Sequence, residues 1–362
     1  MSDIGTRQMI ELYMEEADAP MFLSGFFQSP ARNFHTTEYV ELDVIRDDMN
    51  VAVAVEDLTA GARHNEAPKY VNKAFIPPIF KEQGAVNAFD MIKRRAGQNP
   101  FESPDFALNA TNDAFRIFHK LDLKIHRAIE LMAAQVFQTG QLTMIDQNGN
   151  AVYTLNFQPK SSHYVTVSTP WAADGSAGDP FSDIASLARM LRRDGKKIPK
   201  NLIFGTSALQ RFRYNAIVQK QLISNLNSQG QGAFMPKLRG ADGANYVGFV
   251  FIDNYRFDLW GYDGFYAHPQ TGTLTPYVAD TNVIMECGGR LDLSYGAIPR
   301  ITSPEARALP FLPSRMSSTE AGLDLTTNAW ITPDGENLMV SAGTRPLTIP
   351  TAIDTIGCLT VA

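Results

Sequence analysis

The chain has 362 residues, and its 32 Lys plus Arg against 38 Asp plus Glu give a formal charge of −6. With 44% hydrophobic and 19% charged residues, it is too apolar and too weakly charged for a disordered acidic or basic polymer. The acidic balance argues against a dedicated nucleic-acid-binding module, and no apolar run approaches the roughly 18 residues of a membrane span.

The length suggests roughly two or three domain-sized units. Two cysteines, Cys287 and Cys358, are too few for a disulfide framework. They read as reduced, buried thiols, with one bridge as the alternative. Glu11, Glu15, Glu16 and Asp18 fall where the apolar core of a secretory signal would sit.

In chain order, residues 6–16 read as a short helix with Met9, Ile10 and Tyr13 on one side. The segment from Pro20 to Phe27 is apolar and isolated. It needs cover from the rest of the chain or from a neighbouring subunit. Residues 38–57 read as β structure, because Val40, Leu42 and Val44 alternate with polar residues and Val51 to Val55 follow. A polar tip comes next, then an extended return from Tyr70 to Ile76. Such a hairpin cannot bury both faces alone.

Ala110, Ala114, Ile117, Leu121, Ile125, Ile129, Met132 and Val136 recur at spacings of three and four. With Ser103 as cap, Pro104 at the first turn and Gly140 as stop, they predict one helix over 104–139, roughly 50 Å long. Its opposite face carries Arg116, Lys120, Lys124 and Arg127. A hairpin follows, 142–145 with 151–157, around Asn148-Gly149. The loop 168–180 is a candidate domain crossing. Beyond it the pattern becomes α+β: a helix over 180–193 stopped by Gly195, a strand at 201–204, a helix from Ser207 to about Asn225, and strands at 246–252, 256–262, 274–278 and 282–286. Near the end, 337–342 and 345–349 read as one long, kinked strand, and 357–361 as a last short one.

No catalytic or metal site emerges from this sequence. Gly195-Lys196 lacks the upstream glycine of a phosphate loop, and Gly230-Gln-Gly232 does not follow a strand. Ser207 has Leu209 where a nucleophile elbow needs glycine, so it reads as a helix cap. His119 and His126 lack the spacing and carboxylate of a zinc helix. Asp253 and Asp258 read as residues flanking strands. Lys93-Arg94-Arg95, with the cations of the long helix, forms a basic cluster. A solvated face is its bland reading. Pairing with a neighbouring subunit, or weak contact with nucleic-acid phosphate through Arg94, Arg95, Lys120 and Lys124, are the alternatives.

The order of elements is more informative than any motif. Phe34-His-Thr-Thr-Glu38-Tyr-Val-Glu-Leu42, Gln135-Val-Phe-Gln-Thr-Gly140-Gln-Leu-Thr-Met144, Lys200-Asn-Leu-Ile-Phe-Gly205 with Ala208 and Phe212, and 337–361 with Arg345-Pro-Leu347 span nearly the whole chain. Together they resemble the lambda-type major capsid protein E family of tailed bacteriophages. The resemblance implies the Hong Kong 97 phage capsid fold, an α+β architecture. Its parts would be an N-terminal arm (1–36) and an extended loop with its base (37–92). A peripheral domain (93–164 plus 299–350) would hold the spine helix 104–139, beside an axial domain (165–298 plus 351–362).

It further implies self-assembly into pentamers and hexamers of an icosahedral virion shell, made in the bacterial cytoplasm and enclosing double-stranded DNA. Catalysis, cofactor, metal and membrane are not implied. A separate scaffolding protein, a portal and a decoration or cement protein would be partners. Phe22, Phe26, Phe27, Arg63, His64, Lys69 and Lys73 become candidate inter-subunit contacts. An encapsulin-type bacterial compartment and an α/β enzyme built on 165–298 are the alternatives.

Overall fold

The structure, a computed structural model, describes residues 19–35, 37–45, 70–89, 106–172, 174–220, 232–234, 243–298 and 325–362. Two short 3-10 turns (Ser24–Phe26, Ala31–Asn33) precede strands β1 (Val40–Ile45), β2 (Tyr70–Phe75) and β3 (Phe80–Asn87). The long helix α1 (Phe106–Thr139) leads into β4 (Gln141–Ile145), β5 (Ala151–Asn156) and β6 (Tyr164–Thr166). Helix α2 (Pro180–Gly195), β7 (Asn201–Phe204) and helix α3 (Thr206–Tyr214) follow. The strands β8 (Gly232–Phe234), β9 (Ala244–Ile252), β10 (Tyr255–Tyr262), β11 (Phe265–Ala267), β12 (Leu274–Pro276), β13 (Asn282–Glu286) and β14 (Asp292–Tyr295) come next. The last are β15 (Thr326–Ile331), β16 (Asn337–Thr344), β17 (Pro346–Ile349) and β18 (Ile356–Thr360).

A seven-stranded mixed sheet, in the order β6-β18-β13-β7-β10-β9-β8, is the centre of the α+β unit. Its alternating residues serve two cores. Leu202, Phe204, Val283, Met285 and Leu359 pack with Phe181, Ile184, Leu187 and Leu191 of α2 and Phe212 of α3. Ile203, Ile284, Ile356 and Cys358 face the other way and join Ile129, Met132, Val136 and Phe137 of α1. Burial on both faces explains why β7 reads as an unbroken apolar run. The second core crosses the expected boundary between spine and axial units.

The spine helix ends where Gly140 adopts φ +63 and donates its N–H to Val136 O at 2.9 Å. Helix α2 is capped by Asp179, whose carboxylate accepts the N–H groups of Phe181 and Ser182. A three-stranded sheet, β15-β16-β3, lies along the spine, with Val86, Leu338 and Val340 beside Ala114, Ile117 and Phe118.

Several expectations are corrected. The helix expected from Ser207 is broken after Tyr214, where Asn215 is extended and its amide binds the carbonyls of Ala177 and Gly178; residues 216–220 are helical again. Ser207 is not the cap; Gly205 holds that position. Helix α2 runs through Gly195, and Lys196 takes the left-handed conformation. The long kinked strand is two strands in different sheets, β16 beside β3 and β17 beside β14, broken at Arg345. The hairpin around Asn148-Gly149 forms as expected: the Asp146 carboxylate accepts the N–H groups of Asn148 and Asn150, and Gly149 takes φ +85. The readings at 6–16, 51–55, Ser103 and Pro104 lie outside the described residues.

Candidate functional site

The N-terminal segment finds its cover in its own chain. The Glu130 carboxylate on α1 accepts N–H bonds from Leu23 and Ser24, each at 2.8 Å, and the Tyr262 hydroxyl at 2.8 Å. Phe22 packs on Trp260 and Tyr262, and both Phe26 and Phe27 pack edge-on against Phe137. Further along, Phe34 stacks on Tyr295 at 5.1 Å, and Gln28 pairs with Asp292 across β14. Phe27 is buried and has little surface left for a neighbour, whereas Phe22 and Phe26 are half-buried. Burial raises the Glu130 carboxyl above its usual range, against the hydrogen bonds to Ser24, Leu23 and Tyr262.

Anchored at its root, the extended hairpin is apolar at its base. Strands β1 and β2 pair antiparallel from Val40 with Phe75 to Ile45 with Tyr70, as a two-stranded ribbon. The buried Arg345 guanidinium donates to Pro77 O and Ala297 O, each at 3.2 Å, and lies 3.9 Å from Glu38. Phe75 packs on Phe157. Beside this anchor Tyr39, Ile76 and Ile79 are 50%, 50% and 59% exposed. A second apolar projection is the β11–β12 hairpin, where Phe265 and Leu274 are exposed.

Among the candidate contacts, Lys73 sits on β2 opposite Leu42. Arg63, His64, Lys69, Arg94 and Arg95 lie outside the described residues. Lys120 is exposed on the spine. Lys124 is 3.1 Å from Glu82 of β3, so it has a carboxylate within its own chain. At the far end of α2, Lys160 first, then His163 and Arg193, hold the Asp194 carboxyl down to about 2. Both cysteines are free and buried, and burial pushes the Cys358 thiol up to about 12.

Glu130, Arg345 and the Tyr39–Ile76–Ile79 patch were not singled out for these roles by the sequence. A carboxylate on the apolar side of α1, between Ile129 and Met132, was a readable signal for the first. The Pro77-Pro78 stop between two exposed isoleucines was a signal for the last.

Residues 14–361 match the family model described as phage major capsid protein E. Among solved structures, the chain is similar to a crystal structure described as a capsid protein of prophage from E. coli CFT073. Identity is 15%, coverage is 81% of this chain and 80% of that one, and the TM-score is 0.58. It is also similar to a structure from Gordonia phage Cozz, at 8% identity over 99% of this chain and 92% of that one, with a TM-score of 0.51. At these identities the likeness is one of fold. No curated protein matches the chain significantly.

Proposed function

Because the chain belongs to the phage major capsid protein E family, as a shell subunit with the Hong Kong 97 capsid fold, we propose that its copies close into the icosahedral head of a tailed phage. Pentamers and hexamers form the closed surface, and packaged double-stranded DNA fills it. The subunit is a building block, without turnover of a substrate. The spine unit is peripheral, the seven-stranded unit is axial, and the hairpin lies over an adjacent subunit.

The observation that carries this reading is the base of the hairpin. Arg345 fixes its root, yet Tyr39, Ile76 and Ile79 stay exposed beside it. A two-stranded ribbon cannot cover such a patch itself, and a clustered apolar surface marks an interaction site. A neighbour's surface is the natural cover, and many modest contacts per subunit suffice in a closed shell. Assembly in the bacterial cytoplasm, a separate scaffolding protein, a portal and a cement protein complete the proposal.

Light scattering of the purified full-length chain, with negative-stain electron microscopy, tests it. Closed shells, or rings of five and six subunits, are the expected result. Uniform 40.0 kDa monomers at every concentration, with or without crowding agents, would overturn it. A co-purifying enzyme in place of DNA would instead favour a bacterial compartment.

A further inference from the structure

One end of the seven-stranded unit gathers cations that no part of the shell reading uses. Residues 192–200 hold five of them, Arg192, Arg193, Lys196, Lys197 and Lys200, with a single carboxylate, Asp194. The local charge is +4 in a chain whose net charge is −6. Other elements bring more. Lys160 lies 3.0 Å from Asp194, and the Lys200 ammonium lies against Gly288 in the β13–β14 loop, two residues before Arg290. The turn at Ile353–Thr355 closes the same end, where the Asp354 carbonyl meets Gly195.

The signs are sorted by depth. The Asp194 and Asp354 side chains are each 14% exposed and Asp292 is 2% exposed, while Glu286 is buried. The side chains of Arg193, Lys160 and Arg290 are 76%, 49% and 45% exposed, and Arg192, Lys196, Lys197 and Lys200 are exposed residues. Asp194 pairs with Lys160 and Arg193, and Asp292 with Arg290 at 2.7 Å, while His163, Thr351 and Asn201 hold these carboxylates from the inner side; seven cations against four carboxylates leave the excess charge positive and outermost. The helix dipole accounts for Arg192 and Arg193 at the α2 C-terminus. Ion pairs with Asp194 and Asp292 account for Lys160 and Arg290, whereas Lys197 and Lys200 lie outside that helix.

We propose that this face binds the phosphate backbone of double-stranded DNA without regard to sequence. The proposal rests on the shell reading for its source of nucleic acid. Two features favour phosphate over a protein partner. Within 192–200, Ile198 is the one large apolar side chain exposed, so a protein docked here would bury several charges around almost no apolar core. The cations also come from separate elements on long side chains, which suits an extended line of regularly spaced charges. No base-reading geometry is required.

The test is fluorescence anisotropy of a labelled 30-base-pair duplex of mixed sequence, titrated with the full-length chain over a range of salt. The triple variant R193Q/K196Q/K197Q is expected to bind at least about tenfold more weakly, with the log–log salt slope shallower by about 2 to 3. The K196R/K197R variant is expected to bind like the wild type, and K120Q is expected to matter less. Far-ultraviolet circular dichroism verifies the fold of each variant. An unchanged affinity and slope in the triple variant would overturn the proposal. So would a triple variant that keeps its duplex affinity but no longer forms shells, because the face would then be a subunit contact. Microscopy of the same samples separates the two readings: a wild-type chain that binds duplex through this face yet never assembles contradicts the shell and leaves the phosphate face standing.

Discussion

Glu130 shows how one buried carboxylate joins three parts of the chain. Three donors converge on it: Leu23 N–H and Ser24 N–H from the N-terminal segment, and Tyr262 O–H from β10. Replacing it with Ala strands them, at about 1–3 kcal/mol for each buried donor left unsatisfied. E130A is therefore expected to lower stability by about 3 kcal/mol or more in chemical denaturation. Burial raises the folded-state pKa above the unfolded value, so the stabilising contribution is full below the unfolded pKa. It is lost as pH rises through the folded pKa. Wild type is thus expected to gain stability relative to E130Q on acidification from pH 8; a pH-independent difference would contradict this account. Asp194 has the opposite sign. With its folded pKa held near 2, its contribution is present above the unfolded value of 3.8 and is lost between the two on further acidification. Arg345 is a residue whose role depends on shape, because its fork reaches two carbonyls at once. R345K is expected to loosen the hairpin root, seen as faster amide hydrogen exchange in β1 and β2, with the α2–α3 core unchanged.

At the scale of elements, Gly84 lets β3 lie against the spine. A side chain there would begin 2.5 Å from Ile117 Cγ2. G84V is expected to wedge β3 from α1 and cost about 1–3 kcal/mol, read as a lowered denaturation midpoint. The same strand shows why part of the fold was hidden in the sequence. Phe80-Lys-Glu-Gln-Gly-Ala-Val-Asn has a weak alternation, because much of it is exposed and its central residue packs by having no side chain. Strand β14, Asp292-Leu-Ser-Tyr, is buried throughout, and its Asp292 carboxylate accepts from Asn33 and Thr351 in place of solvent. Periodicity does not mark such a strand. The spine was legible because its apolar residues recur over about seven turns, and β7 and β13 because a doubly covered sheet demands unbroken apolar runs. Asn215 breaks the expected helix through tertiary hydrogen bonds to Ala177 and Gly178, which no local pattern announces. Of the candidate site, the aromatic segment 22–27 was read as needing cover. The cover proved to be Phe137, Trp260 and Tyr262, more than a hundred residues away.

At the scale of the whole molecule, the described residues build a large internal core and leave apolar side chains exposed at several places, the hairpin base and the β11–β12 hairpin among them. That division fits a subunit that folds alone and then assembles. The double variant I76D/I79D is expected to keep the cooperative unfolding of the wild type, because both residues are exposed, and to lose shell formation in light scattering. The most direct measurement is a cryo-electron microscopy reconstruction of the assembled full-length particle. The account predicts a closed icosahedral shell in which Tyr39, Ile76 and Ile79 are covered by an adjacent subunit. A closed shell that leaves those three side chains in solvent, with each hairpin folded back on its own subunit, would contradict it.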